Sequence, residues 1–202
     1  MESEHYGPVV LRLSPIVELT DEQLLEICSL NDELRIERNA QGELELMPPT
    51  SSNSGNQNFD IITDLGIWVR ADGTGVGFES NTGFTLPNRS MRSPDAAWIS
   101  NDRWEALPRE ERRKFAPICP DFVIELRSES DRLSVAQAKM EEYIENGARL
   151  GWLIDPVDVR HRVYIYRPNS SVEILENPET VSGDPELPGF VLDLTPVWET
   201  GL

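Results

Sequence analysis

The run Pro120-Asp-Phe-Val-Ile-Glu-Leu-Arg127 narrows the possible folds of this chain more than any other stretch. Phe122, Ile124 and Leu126 alternate with Val123, Glu125 and Arg127, as suits a β-strand whose successive side chains face opposite ways. Both faces are largely apolar, so the strand is expected inside a sheet covered on two sides. Asp131-Arg-Leu-Ser134 then leads into a helix near 134–146, ended by Asn146-Gly147, and Leu150–Ile154 is a further apolar strand closed by Asp155-Pro156. Strand, helix, strand in this order is a βαβ unit, with parallel strands and a right-handed crossover. Glu125 is the odd residue in the run. A carboxylate there must be paired, hydrogen-bonded or bound to a cation, because burying it alone costs several kcal/mol or more. Arg127, two residues on, is expected on the same face.

The segments before this unit read as antiparallel. Residues 1–19 look like a tail running into an extended segment, and 20–202 like a single domain. Thr20 with Gln23 fits a capping box for a helix over about 21–30. Leu34–Arg38 and Glu43–Met47 alternate around Asn39-Ala-Gln-Gly42 and predict a hairpin. Phe59, Ile62, Leu65 and Trp68 recur at helical spacing over about 55–70, and Asp72-Gly73 stops that helix. Gly73, Gly75 and Gly77 follow a helix instead of joining a strand to one, so they are turn glycines and not a phosphate loop. Val76–Glu79, Gly83–Leu86 and Asp95–Ile99 suggest a meander, and residues 101–118 a short surface helix and loop. His161–Arg167 with Val172–Glu176 predict a second hairpin, and Gly189–Leu194 with Val197-Trp198 a final edge. The sum is a mixed sheet with helices on its faces, α/β or α+β, with hairpins towards both termini.

The 202 residues suffice to bury a real core, and no apolar run approaches the length needed to span a bilayer. The acidic start Met1-Glu-Ser-Glu-His lacks a signal peptide's pattern, and Cys28 and Cys119 are isolated, so a cytoplasmic protein is expected. A net charge of −18 disfavours non-specific adhesion to nucleic acid or anionic membrane and suits a solvated surface. The densest basic cluster, Arg109, Arg112, Arg113 and Lys114, has Glu110 and Glu111 inside it. The only histidines, His5 and His161, offer no serine triad, and no Cys/His cluster suggests structural zinc.

Three charged residues sit at awkward places. Asp95 opens a strand directly after Pro94, Glu125 lies in the central strand, and Lys139 borders the apolar face of the crossover helix beside Val135, Ala136 and Tyr143. Each has an ordinary reading: turn chemistry, an ion pair with Arg127, a lysine whose stem lies on apolar surface. Together they contain what metal-assisted phosphodiester hydrolysis requires. Two carboxylates on adjacent strands can hold Mg²⁺ through oxygen, and a nearby cation stabilises developing charge. Asp121, four residues before Glu125 on one strand, is roughly 13 Å away at the usual rise and too far to share an ion.

Pro94-Asp95 followed thirty residues later by Glu125-Leu-Arg127 resembles the Pro-Asp…(Asp/Glu)-x-Lys, or PD-(D/E)XK, site of restriction-endonuclease-like nucleases. Gly42–Pro49, Ser93–Trp98, Pro120–Leu126 with Ser128–Asp131, Lys139-x-x-x-Tyr143 with Gly147, and Gly151–Pro156 more closely resemble the Uma2 family of bacterial, notably cyanobacterial, endonucleases, over about residues 20–195. The resemblance implies a restriction-endonuclease-like fold and Mg²⁺-dependent cleavage of DNA, with Mn²⁺ as a substitute. It implies Asp95 and Glu125 as metal ligands, Lys139 as the active-site lysine supplied from the helix, and Glu43 as an acidic residue near the metal. Arg127 stands at the third motif position, where it could grip phosphate but not act as a base. The histidine that the family often carries near its long helix is missing from Ser54-Gly-Asn-Gln57. A homodimer is the expected form if both strands are cut. The rival reading is a non-catalytic module that keeps the fold and offers its acidic surface to a protein partner.

Overall fold

The computed structural model describes residues 8–199. Its first strand, β1 (Val9–Leu11), pairs with β3 (Leu44–Met47), which forms the expected hairpin with β2 (Arg35–Arg38). Helix α1 (Asp21–Leu30) begins at the predicted capping box: the Gln23 amide donates to the Thr20 hydroxyl at 3.2 Å, and the Thr20 amide to the Gln23 side chain at 3.0 Å. Helix α2 (Ser52–Asp72) is longer than its apolar spacing implied, because Ser51 caps it and Gly73, at φ 71°, ends it in the left-handed conformation.

Strands β4 (Gly75–Glu79), β5 (Phe84–Thr85), β6 (Met91–Arg92) and β7 (Ala96–Ser100) follow, and they do not form the expected meander. β4 pairs with β7, while β5 turns back onto β6, which pairs with β2 and so adds both to the hairpin sheet. The reason is a tight turn at Pro87–Arg89, where Arg89 takes φ 71° and the Leu86 amide donates to the Ser90 carbonyl at 2.8 Å. After α3 (Asn101–Ala106) come β8 (Phe122–Leu126), α4 (Leu133–Glu145) and β9 (Leu150–Asp155), the predicted strand–helix–strand unit. β8 and β9 are parallel. β10 (Arg162–Tyr166) and β11 (Glu173–Glu176) complete a six-stranded sheet of order β11-β10-β9-β8-β7-β4.

All five residues of β8 are buried, as its two apolar faces require. Phe122, Ile124 and Leu126 pack with Ile61 and Leu65 of α2, and Val123 packs with Met140 and Tyr143 of α4. Burying side chains of this size stabilises by about 1.5–3 kcal/mol each, and the two layers fix α4 over the sheet. The C-terminal strands β12 (Thr180–Ser182) and β13 (Val191–Asp193) are not a final edge of the large sheet. They form a separate ribbon over the α2 face, where Phe190 stacks on Trp152 with centroids 5.6 Å apart; the short helix α5 (Thr195–Trp198) follows. No helix among the described residues is long and apolar enough to cross a membrane.

Candidate active site

The register of β7 and β8 decides where the two sequence-predicted carboxylates meet. Ala96 lies opposite Ile124 and Ala97 opposite Val123, so one further step of this antiparallel ladder brings Asp95 opposite Glu125. Residues opposed in this way share a face, with Cβ atoms about 4.5–5.5 Å apart where the ladder is regular. Regular pairing stops at Ala96, and a side chain takes over: the Leu126 amide donates to Asp95 Oδ2 at 2.8 Å. The face is the α4 face, since Glu125 follows Val123 by two residues.

Helix α4 supplies the partners of Glu125. Tyr143 Oη donates to Glu125 Oε1 at 2.8 Å, and Lys139 Nζ lies 2.9 Å from the same oxygen. Lys139 and Tyr143 are one helical turn apart and therefore lie side by side. All the polar contacts of Glu125 among the described residues fall on Oε1, which leaves Oε2 without a hydrogen bond.

The hairpin sheet closes the cluster, with a residue the sequence reading passed over. Glu37 of β2 is fully buried, and it accepts from Lys139 Nζ at 3.0 Å, Arg92 Nη1 at 3.2 Å and the Ser93 amide at 3.1 Å. Arg35, on the same face of β2, donates to Asp95 Oδ1 at 3.2 Å and to the Ser93 carbonyl. The Ser93-Pro94-Asp95 turn is thus held against β2 from both sides, and this fixes where Asp95 points.

Charge is finely divided here. Burial pushes the Glu125 carboxyl up to about 7; Asp95 and Glu37 push the same way, while Lys139 and Arg35 oppose. Burial would also raise Glu37, but Lys139, Arg92 and Arg35 outweigh it and hold that carboxyl at about 2. Burial would lower Lys139, yet Glu125 and Glu37 on either side keep its ammonium above the ordinary lysine range. Lys139 is therefore a fixed positive charge between an ionised carboxylate and one that titrates near neutrality.

Two of the expected site residues lie elsewhere. Arg127 does point to the α4 side, but the parallel register that puts Leu126 beside Ile154 carries it on to Asp155. Its Nη1 meets both Asp155 oxygens at 3.0 and 2.9 Å and its Nε donates to the Asp131 carbonyl, an ion pair that does not include Asp95 or Glu125. Glu43 sits at the hairpin end, held by Asn39 at 2.9 Å and Arg12 at 3.0 Å; its strand neighbour Glu45 reaches Arg92 instead. Asp121 faces Arg103 at 2.9 Å and accepts from the Ser100 amide, so it serves the end of β7.

Among the described residues no three Asp, Glu, His or Cys side chains are grouped as a metal ion would hold them. Asp95 with Glu125 is a two-carboxylate, oxygen-only set. That suits Mg²⁺, which commonly takes one or two carboxylates and fills the remaining positions with water and substrate phosphate. The donor set fits the ion that the sequence resemblance implies.

The mixed sheet flanked by helices is a restriction-endonuclease-like architecture. A crystal structure of a "putative nuclease belonging to DUF820" from Anabaena variabilis has the same fold, with a TM-score of 0.73 and 21% identity over 91% of this chain and 99% of that one. The chain belongs to the Uma2 family, whose model carries the description "Putative restriction endonuclease" and matches residues 21–195. No curated protein matches the chain.

Proposed function

We propose that the protein is a Mg²⁺-dependent endonuclease that hydrolyses DNA phosphodiester bonds at the Asp95–Glu125 cluster. The observation that carries this reading is the β7–β8 register, which brings two carboxylates from separate strands to one face, with Lys139 against one of them. Asp95 and Glu125 would hold the cation. When bound, Mg²⁺ supplies charge neutralisation at the scissile phosphate and makes attacking water more acidic. Asp95 is oriented for this by the Leu126 amide, and Glu125 by Tyr143 and Lys139. Lys139, kept charged by its two carboxylates, stabilises negative charge that develops on phosphate oxygens. DNA as substrate rests on the family.

The experiment is titration calorimetry with Mg²⁺ or Mn²⁺ on the protein and on Asp95→Asn. Binding to the first and its loss in the second are expected, together with loss of cleavage of a plasmid or oligonucleotide. Equal metal affinity in the two proteins would remove the metal site and leave the acidic interaction module as the better account.

A further inference from the structure

Arg35 and Arg92 border the carboxylate cluster and Arg127 lies beyond it, and the three guanidinium groups differ in how open they are. Arg92 gives Nε to Glu142 at 2.6 Å and Nη1 to Glu45 and Glu37 at 2.5 and 3.2 Å, and its side chain is 9% exposed. Arg127, 17% exposed, is turned to Asp155 and the Asp131 carbonyl. Arg35 is different. It holds Asp95 and the Ser93 carbonyl and lies 3.7 Å from Glu37, its Nε is enclosed without an acceptor, and its side chain is 28% exposed. Lys139, enclosed by Glu37 and Glu125, is 14% exposed, so Arg35 is the most open cation of the cluster.

The charge of the whole chain gives this weight. At −18 the protein repels a polyanion over most of its surface, so a phosphate can be held only where positive charge is local and accessible. We propose that Arg35 is the residue that receives a backbone phosphate of the DNA strand at this site, with Asp95 as its partner while no strand is present. This rests on the nuclease reading above and assigns the phosphate-gripping role, expected of Arg127, to a residue of the hairpin sheet. A planar guanidinium fork matches phosphate oxygens, and Nη1, now on Asp95 Oδ1, is the arm that a phosphate would take. Moving from Asp95 to phosphate also frees Asp95 Oδ1, the oxygen that Arg35 otherwise holds.

The two halves of the proposal give effects of opposite sign, which a purely structural arginine would not. In Arg35→Ala the affinity for Mg²⁺ alone, measured by calorimetry without DNA, should rise, because the cation competing for Asp95 Oδ1 is gone while the Leu126 amide still holds Oδ2. Affinity for a fluorescent duplex oligonucleotide, measured by anisotropy with Ca²⁺ in place of Mg²⁺, should fall by about ten- to a hundredfold. The slope of log affinity against log salt should shrink by about one. Arg35→Lys keeps the charge without the fork and should recover part of the DNA affinity. Equal DNA affinity in Arg35→Ala and the unaltered protein, with metal binding still abolished by Asp95→Asn, would overturn this assignment alone. Parallel loss of metal and DNA affinity in both Arg35 variants, with a lowered melting temperature, would instead give Arg35 to the Ser93–Asp95 turn. An unaltered protein that binds metal but no DNA would overturn the phosphate role and the DNA reading together, while leaving the metal site in place.

Discussion

Lys139 Nζ donates to Glu37 Oε1 at 3.0 Å across 102 residues of chain, and this bond joins the crossover helix to the first hairpin. The same ammonium lies 2.9 Å from Glu125, so one lysine holds a carboxylate from each of the two large sheets.

Glu37 should make the fold sensitive to acid. Its carboxyl sits at about 2, below its ordinary value of 4.5, so the ionised form stabilises the folded state fully above pH 4.5. That contribution is lost as pH falls through about 2. Glu37→Gln should flatten the fall in stability between these two limits and, at neutral pH, cost about 3–5 kcal/mol by leaving buried cations underpaired. Urea denaturation over a pH series measures both.

Glu125 has the opposite sign. Its folded value of about 7 lies above the ordinary 4.5, so protonated Glu125 favours folding at low pH, and that advantage disappears as pH rises through about 7. Glu125→Gln should therefore be more stable than the unaltered protein at pH 8, by on the order of 1–3 kcal/mol, while losing metal affinity. A thermal melt at pH 8 that shows no gain would contradict the burial argument.

Lys139→Met keeps the apolar stem and removes the charge. Single-turnover cleavage should drop by about a hundredfold or more if the ammonium faces developing charge. Unchanged turnover would return the lysine to packing between α4 and the sheet.

Arg127→Ala tests the ion pair with Asp155. Asp155 is fully buried, and stripping its partner leaves an uncompensated charge, with a loss of about 3–5 kcal/mol in urea denaturation. Cleavage per folded molecule should be unchanged, in contrast to the Arg35 variants.

Much of the frame was readable from residue order. The alternation around Glu125 fixed a central strand, and the placement of Lys139 beside Tyr143 on a helix after that strand implied a lysine leaning on the sheet. What the alternation could not supply was register. Arg127 has the right parity to share a face with Glu125, but its partner depends on the alignment of β8 with β9, which no local pattern states. Glu37 was hidden for a related reason. The polar face of an alternating hairpin reads as solvent-facing, whereas here Arg35, Glu37 and Glu45 turn inward on Lys139, Arg92 and Asp95. Period-two patterning separates the faces of a strand without saying whether the polar one meets water or opposite charge. β5 and β6 were missed as a pair because two-residue strands fall below any periodic window.

The hairpin sheet contributes Arg35 and Glu37, while Asp95, Glu125 and Lys139 belong to the ladder behind it and its crossover helix. Under the proposed nuclease reading, competence is a property of the docking between two layers. A transient parting of them would deprive the lysine of one acceptor and the aspartate of its anchoring turn, and so silence the chemistry well before the molecule as a whole came apart.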